Sequence, residues 1–165
     1  MLNQKKLEDF LKKAEKIKQS GSVDLSSEED LVLAIMNLLS LEEHFFFTGA
    51  KTEKSEYFDF LIEVRDLRKE LLAKIVDRNE GETWCASKHL LAAAMRLIEV
   101  GVKFRSQNKL SEAKEMFNRA YQMYSMFWAL RFKLIDVSGF KKISSEEKPW
   151  TFKDIVNKLV DCCNE

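Results

Sequence analysis

AMRLIEVGVKFRSQNKLSEAKEMFNRAYQMYSMF, residues 94–127, decides the fold. From Leu97, the residues Val100, Gly101 and Phe104 follow at helical spacing, which sets all four on one side of a helix. Ser106-Gln107-Asn108-Lys109 is a short polar break, and beyond it Ala113, Phe117 and Ala120 mark the inner side of a second helix. The small residues Gly101, Ala113 and Ala120 let two helix backbones approach, while the larger ones fill the space between them. The stretch therefore reads as an antiparallel helical hairpin. One such hairpin cannot bury its own apolar face, so the rest of the chain must cover it.

Composition extends the helical reading outward. The chain has 165 residues with only 5 Gly and 1 Pro, too few for a turn-rich β fold and suited to long helices with short connections. A hydrophobic share of 45% beside 33% charged residues is that of a globular protein with a sizeable core. Basic and acidic residues balance at 27 each, so overall charge makes no case for nucleic acid or an anionic membrane as partner. No apolar run is expected to approach the roughly 18 residues of a membrane span. Three cysteines, two of them adjacent, do not form a disulfide framework, and the expected setting is a reducing cytoplasm.

Periodicity predicts about six helices in a single all-α domain covering residues 1–165, with a core bundle over 24–135. An N-terminal helix over 3–19 carries Leu7, Phe10, Leu11, Ala14 and Ile17 on one face. In the second segment Ser26 and Glu29 have the spacing of a capping box. Leu31 to Leu41 is apolar on nearly every side, which predicts a helix in the middle of the core, closed by Thr48-Gly49-Ala50-Lys51. The third segment, 53–76, shows a stripe of Tyr57, Phe60, Leu61, Val64, Leu67, Leu71 and Ile75 and ends at Asn79-Glu80-Gly81. Helices over 83–106 and 110–134 form the hairpin. Ala92-Ala93-Ala94 permits close packing on the first of them, and Tyr121, Tyr124, Phe127 and Trp128 close the second with core aromatics. A polar linker over 138–149 leads to a helix over 151–163, with Thr151 and Asp154 as its capping box. Phe152, Ile155, Val156, Leu159 and Cys163 give that helix a face able to dock on the bundle or on a partner.

The hairpin resembles a tetratricopeptide unit over residues 94–127, on Leu97, Gly101, Phe104, Ala113, Phe117 and Ala120. In that family, arrays of such hairpins form concave surfaces that bind peptides, so the resemblance implies hairpin geometry and a peptide-binding role. The chain contains the unit once. A looser likeness to HEPN-type helical bundles rests on Arg119-Ala120-Tyr121-Gln122. The Arg closely followed by His of those nucleases is absent, since the next His after Arg78 is His89.

The residues able to carry chemistry are few. Two histidines, His44 and His89, fall on helices expected to be buried. Asn37, Ser40 and His44 share one side of the second segment, with Glu43 beside them. Cys85, His89 and Arg96 share a side of the fourth. If these helices pack together, Glu43, His44, Cys85 and His89 can converge as a Zn²⁺ site or an acid–base pocket. The strict Glu-x-x-His of di-iron bundles is absent, because Leu41 and Ala86 stand three residues before the histidines. Histidine and cysteine on apolar faces more often serve packing or a polar network fixing helix register. Cys162-Cys163 has no nearby Cys or His partner, and Glu63 and Arg65 read as surface charges.

The leading expectation is a non-catalytic helical interaction or scaffold module with a protein or peptide partner, or a second copy of itself. It would use a groove beside the hairpin or the aromatic end near Tyr124 to Trp128. The alternative is a small metal-binding protein or enzyme using Glu43, His44, Cys85, His89 and Arg96.

Overall fold

A computed structural model describes residues 25–133, together with Lys12, Glu15 and Lys16, which are helical and exposed. The rest of the expected N-terminal helix (3–19), the linker (138–149) and the C-terminal helix (151–163) lie outside the described residues. Among the described residues the fold is all-α, with no strand. Helix α1 spans Leu25–Thr52, α2 Glu56–Ala73, α3 Glu82–Ser106 and α4 Leu110–Arg131, with one 3₁₀ turn at Arg78–Glu80.

The connections are made by local chemistry. α1 does not stop at Thr48-Gly49-Ala50-Lys51 as expected. It runs to Thr52, and Glu53 turns the chain with a φ of 57°. Gly49 serves packing instead, since a Cβ there would stand 3.0 Å from the Phe58 ring on α2. Before α3, the Asp77 side chain accepts from the Asn79 backbone N–H at 2.9 Å, and Gly81 takes the φ of 52° that starts the helix. Between α3 and α4, Asn108 adopts a φ of 60°, and the Lys109 N–H bonds the Phe104 carbonyl at 3.0 Å. The expected capping box at Ser26 is not formed, because Leu25 is already helical and Glu29 meets Tyr124 on α4.

In space the helices run in the order α2, α1, α3, α4: α1 packs on α2 and, less extensively, on α3, which packs closely on α4. Lys133 at the end of α4 reaches Glu80 before α3 at 2.9 Å, and Arg131 reaches Glu28 near the start of α1 at 2.7 Å. Farther along both helices Glu43 pairs with Arg96, so α1 and α3 run parallel. Their shared core is Val32, Ile35 and Met36 from α1, Leu72, Ile75 and Val76 from the end of α2 and the turn after it, Trp84, Leu91 and Ala94 from α3, and Phe127 from α4.

The α3–α4 seam is built from the expected small residues. Ala113 and Ala120 are buried, and a Cβ on Gly101 would come within 2.5 Å of the Phe117 ring. Contact this close is open only to glycine.

Two expectations about α1 and α2 fail, both because each helix is covered on fewer sides than its composition suggests. Leu33, Leu41, Phe46 and Phe47 on α1 are exposed, so α1 is not enclosed in the core. Its stretch Ser26–Thr52, with a mean hydropathy of 1.4 in its most apolar window, is long and apolar enough to cross a membrane by length and composition. On α2, Phe60 and Leu67 are exposed, and the buried line passes through Leu61, Val64, Arg68 and Leu72. Arg68 is 0% exposed. Its Nε donates to Glu42 Oε1 at 2.8 Å and its Nη2 to Oε2 at 3.4 Å, while Arg65 Nε donates to the same Oε2 at 3.3 Å.

Candidate functional site

The last turns of α4 carry Tyr121, Tyr124, Ser125, Trp128 and Phe132 at three- and four-residue steps, so the side chains share a face. Beside them the first turns of α1 bring in Glu29. These residues and Ala129 line an open groove of about 380 Å³. The aromatic row is held from behind, where the fully buried Phe127 packs edge-on to Trp128 with ring centroids 5.3 Å apart. Trp128 in turn meets Tyr124 edge-on at 6.1 Å and stacks on Phe132 at 5.4 Å. The row ends in Tyr121, 72% exposed. Of the expected core aromatics on this helix, only Phe127 is a core residue.

Electrostatics at the groove centre on Glu29. The Tyr124 hydroxyl donates to Glu29 Oε1 at 3.3 Å. Burial pushes the Tyr124 phenol above its ordinary value of 10.0; a hydrogen bond with Trp128 works against the shift and the Glu29 carboxylate reinforces it. Neighbouring charges are already matched: Arg131 pairs with Glu28 while lying 5.7 Å over the Phe132 ring, and Lys133 pairs with Glu80.

The other sequence candidates are dispersed. Glu43 and Arg96 do meet, as a partly exposed ion pair linking α1 to α3. Cys85 is 2% exposed and lies inside the core. His44 and His89, expected on buried helices, are both exposed, because His44 lies on the uncovered side of α1 and His89 turns away from the buried Ser87, Lys88 and Leu91. Asn37 does not reach toward His44: its amide back-bonds to the Leu33 carbonyl at 2.9 Å. Glu63 is exposed, whereas Arg65 belongs to the Glu42 cluster and is not a free-standing surface charge. Among the described residues no group of three or more His, Cys, Asp or Glu is arranged to hold a metal ion. What the geometry assembles is an aromatic and acidic groove.

Sequence reasoning missed Glu29 as a groove residue, and the Glu42–Arg68 pair altogether. The chain matches no known protein family, no curated protein and no solved structure.

Proposed function

We propose that this chain is a non-catalytic helical interaction module that engages a protein or peptide partner in the groove between α4 and the start of α1. The observation that carries the reading is the row of aromatic side chains held open there, with Tyr121 at its exposed end. Aromatic residues give large contact area at low entropic cost, which is why they concentrate at recognition surfaces. The expected arrangement of about six helices in one domain, with the tetratricopeptide-like hairpin at its centre, belongs to the same proposal, as does a reducing cytoplasmic setting.

The test is a photo-reactive phenylalanine analogue at position 121 of the full chain, used in its native cell. The reading requires cross-links that map to one segment of one partner and disappear with Trp128→Ala. Cross-links confined to the chain itself would remove the groove as a partner site.

A second reading is self-association through exposed apolar side chains of α1 and α2. Leu33, Leu41, Phe46 and Phe47 on α1 and Phe60 and Ile62 on α2 are exposed. Sedimentation of the full chain over a concentration series decides it. A monomer at every concentration would end this reading, and a dimer weakened by Phe46→Ser with Phe47→Ser would establish it.

A further inference from the structure

We infer that the groove along α4 recognises a cation, the ammonium or guanidinium of a lysine or arginine on a basic segment of the partner protein. The inference rests on the interaction reading above and gives it a ligand chemistry.

Among the described residues, Glu29 is the only charged one lining the groove. The nearby carboxylates Glu28 and Glu80 are matched by Arg131 and Lys133, so Glu29 sets the sign of the local field. Its one polar contact in the groove is the Tyr124 hydroxyl, a neutral donor that leaves the negative charge in place. The raised phenol keeps that donor protonated at neutral pH. Tyr121, Tyr124 and Trp128 line the same groove as the carboxylate. An aromatic face attracts a cation through its quadrupole, more strongly when water is excluded. A neutral apolar side chain gains contact from the rings and nothing from Glu29. A carboxylate is repelled by Glu29 and by the ring faces alike.

The protein already uses this combination one residue away. Arg131 places its guanidinium 5.7 Å over the Phe132 ring while bonding Glu28 at 2.7 Å, a cation held between an aromatic ring and a carboxylate. The groove brings together the same two kinds of group, the Glu29 carboxylate and aromatic rings of the same helix, of which Tyr121 is the most exposed. A groove of about 380 Å³ suits one long side chain with a short length of backbone.

The experiment titrates the full chain with a short acetylated, amidated peptide of alternating Ala and Lys, followed by the NMR signal of the Trp128 indole N–H, assigned with Trp128→Phe. Matched peptides carrying norleucine or Glu in place of Lys are the comparisons. The inference requires a saturable shift with the Lys peptide alone, weakened about tenfold in Glu29→Gln, a change of about 1.4 kcal/mol. Glu29→Gln is isosteric at an exposed position, and an unchanged melting curve confirms its fold. Equal binding of the norleucine peptide, or of the Lys peptide to Glu29→Gln, overturns the cation inference and leaves the interaction reading standing. No shift with any peptide means that the groove is closed to other chains, and overturns both.

Discussion

Arg68 Nε lies 2.8 Å from Glu42 Oε1, with the arginine side chain wholly removed from solvent. The pair joins α2 to α1 at the point where the apolar line of α2 is interrupted by a charge. Burying two ions is expensive, and their attraction repays it only when the remaining donors and acceptors are also matched. The two-point contact and the addition of Arg65 at 3.3 Å do this for the Glu42 carboxylate.

Removing Arg68 takes the two-point contact from the Glu42 carboxylate in the α1–α2 interface and leaves it the partly exposed Arg65. Arg68→Ala is expected to lower stability by about 3–5 kcal/mol, whereas Glu42→Leu with Arg68→Met, which removes both charges, recovers most of the loss. Urea unfolding of the single and double variants checks this. Equal losses from Arg68→Ala and from the exposed-pair variant Arg96→Ala would show that the buried pair has no special weight.

Gly101 and Phe117 make a second dependent pair. Alanine at position 101 gains up to about 1 kcal/mol in helix propensity but drives a Cβ into the Phe117 ring, and overpacking typically costs about 1–3 kcal/mol. Phe117 is itself exposed and can swing aside, which sets the net effect of Gly101→Ala at a loss of about 1 kcal/mol. In a Phe117→Ala background the clash is gone and the same substitution becomes stabilising. Thermal unfolding of the double-mutant cycle tests for that reversal of sign, and a loss of equal size in both backgrounds would refute the packing account.

The parts of the fold legible in the sequence are those set by neighbours along the chain. Periodicity and punctuation placed α3 and α4 within a residue or a few of their ends, and Gly101 marked the seam. Neighbours across the chain were harder to read. Arg68 stands four residues from Val64 and four from Leu72, so its place in the buried line was visible in principle, but not that Glu42 would receive it. The uniform apolarity of α1 says nothing about how many helices surround it, and only α2 and α3 pack extensively on it among the described residues. The aromatic row on α4 was visible at helical spacing. Glu29 completes it from 95 positions earlier, a meeting produced by the parallel course of α1 and α3 and by no local pattern.

Zinc is expected to leave the protein unchanged. The Cys85 thiol is sealed in the core while His44 and His89 face solvent, so a tetrahedral ion cannot take all three without opening α3. The melting temperature of the full chain should be the same with chelator and with stoichiometric Zn²⁺, and the same in a His44→Ala, His89→Ala variant. A rise with Zn²⁺ that the double variant abolishes would restore the metal-binding alternative.

Tyr124 supplies a pH signature for the α1–α4 contact. Its phenol is raised above 10.0, chiefly by burial, so the folded state favours the neutral form. For a group with a raised folded value, the stabilisation is whole below the unfolded value and is lost as pH rises through the folded one. Stability should therefore hold up to about pH 10 and then decline as the phenol ionises beside Glu29. Tyr124→Phe cannot ionise. At neutral pH it forgoes the hydrogen bond to Glu29, worth about 0.5–1.5 kcal/mol at most, yet it should decline less steeply above pH ~10, so that the two stability curves converge. The two proteins differ only at this side chain, so the difference between the curves isolates Tyr124. Urea midpoints measured from about pH 8 to about pH 11 provide the comparison. Parallel curves over that whole interval would mean that the Tyr124 hydroxyl is as free in the folded protein as in the unfolded chain, and that the groove wall does not close on it.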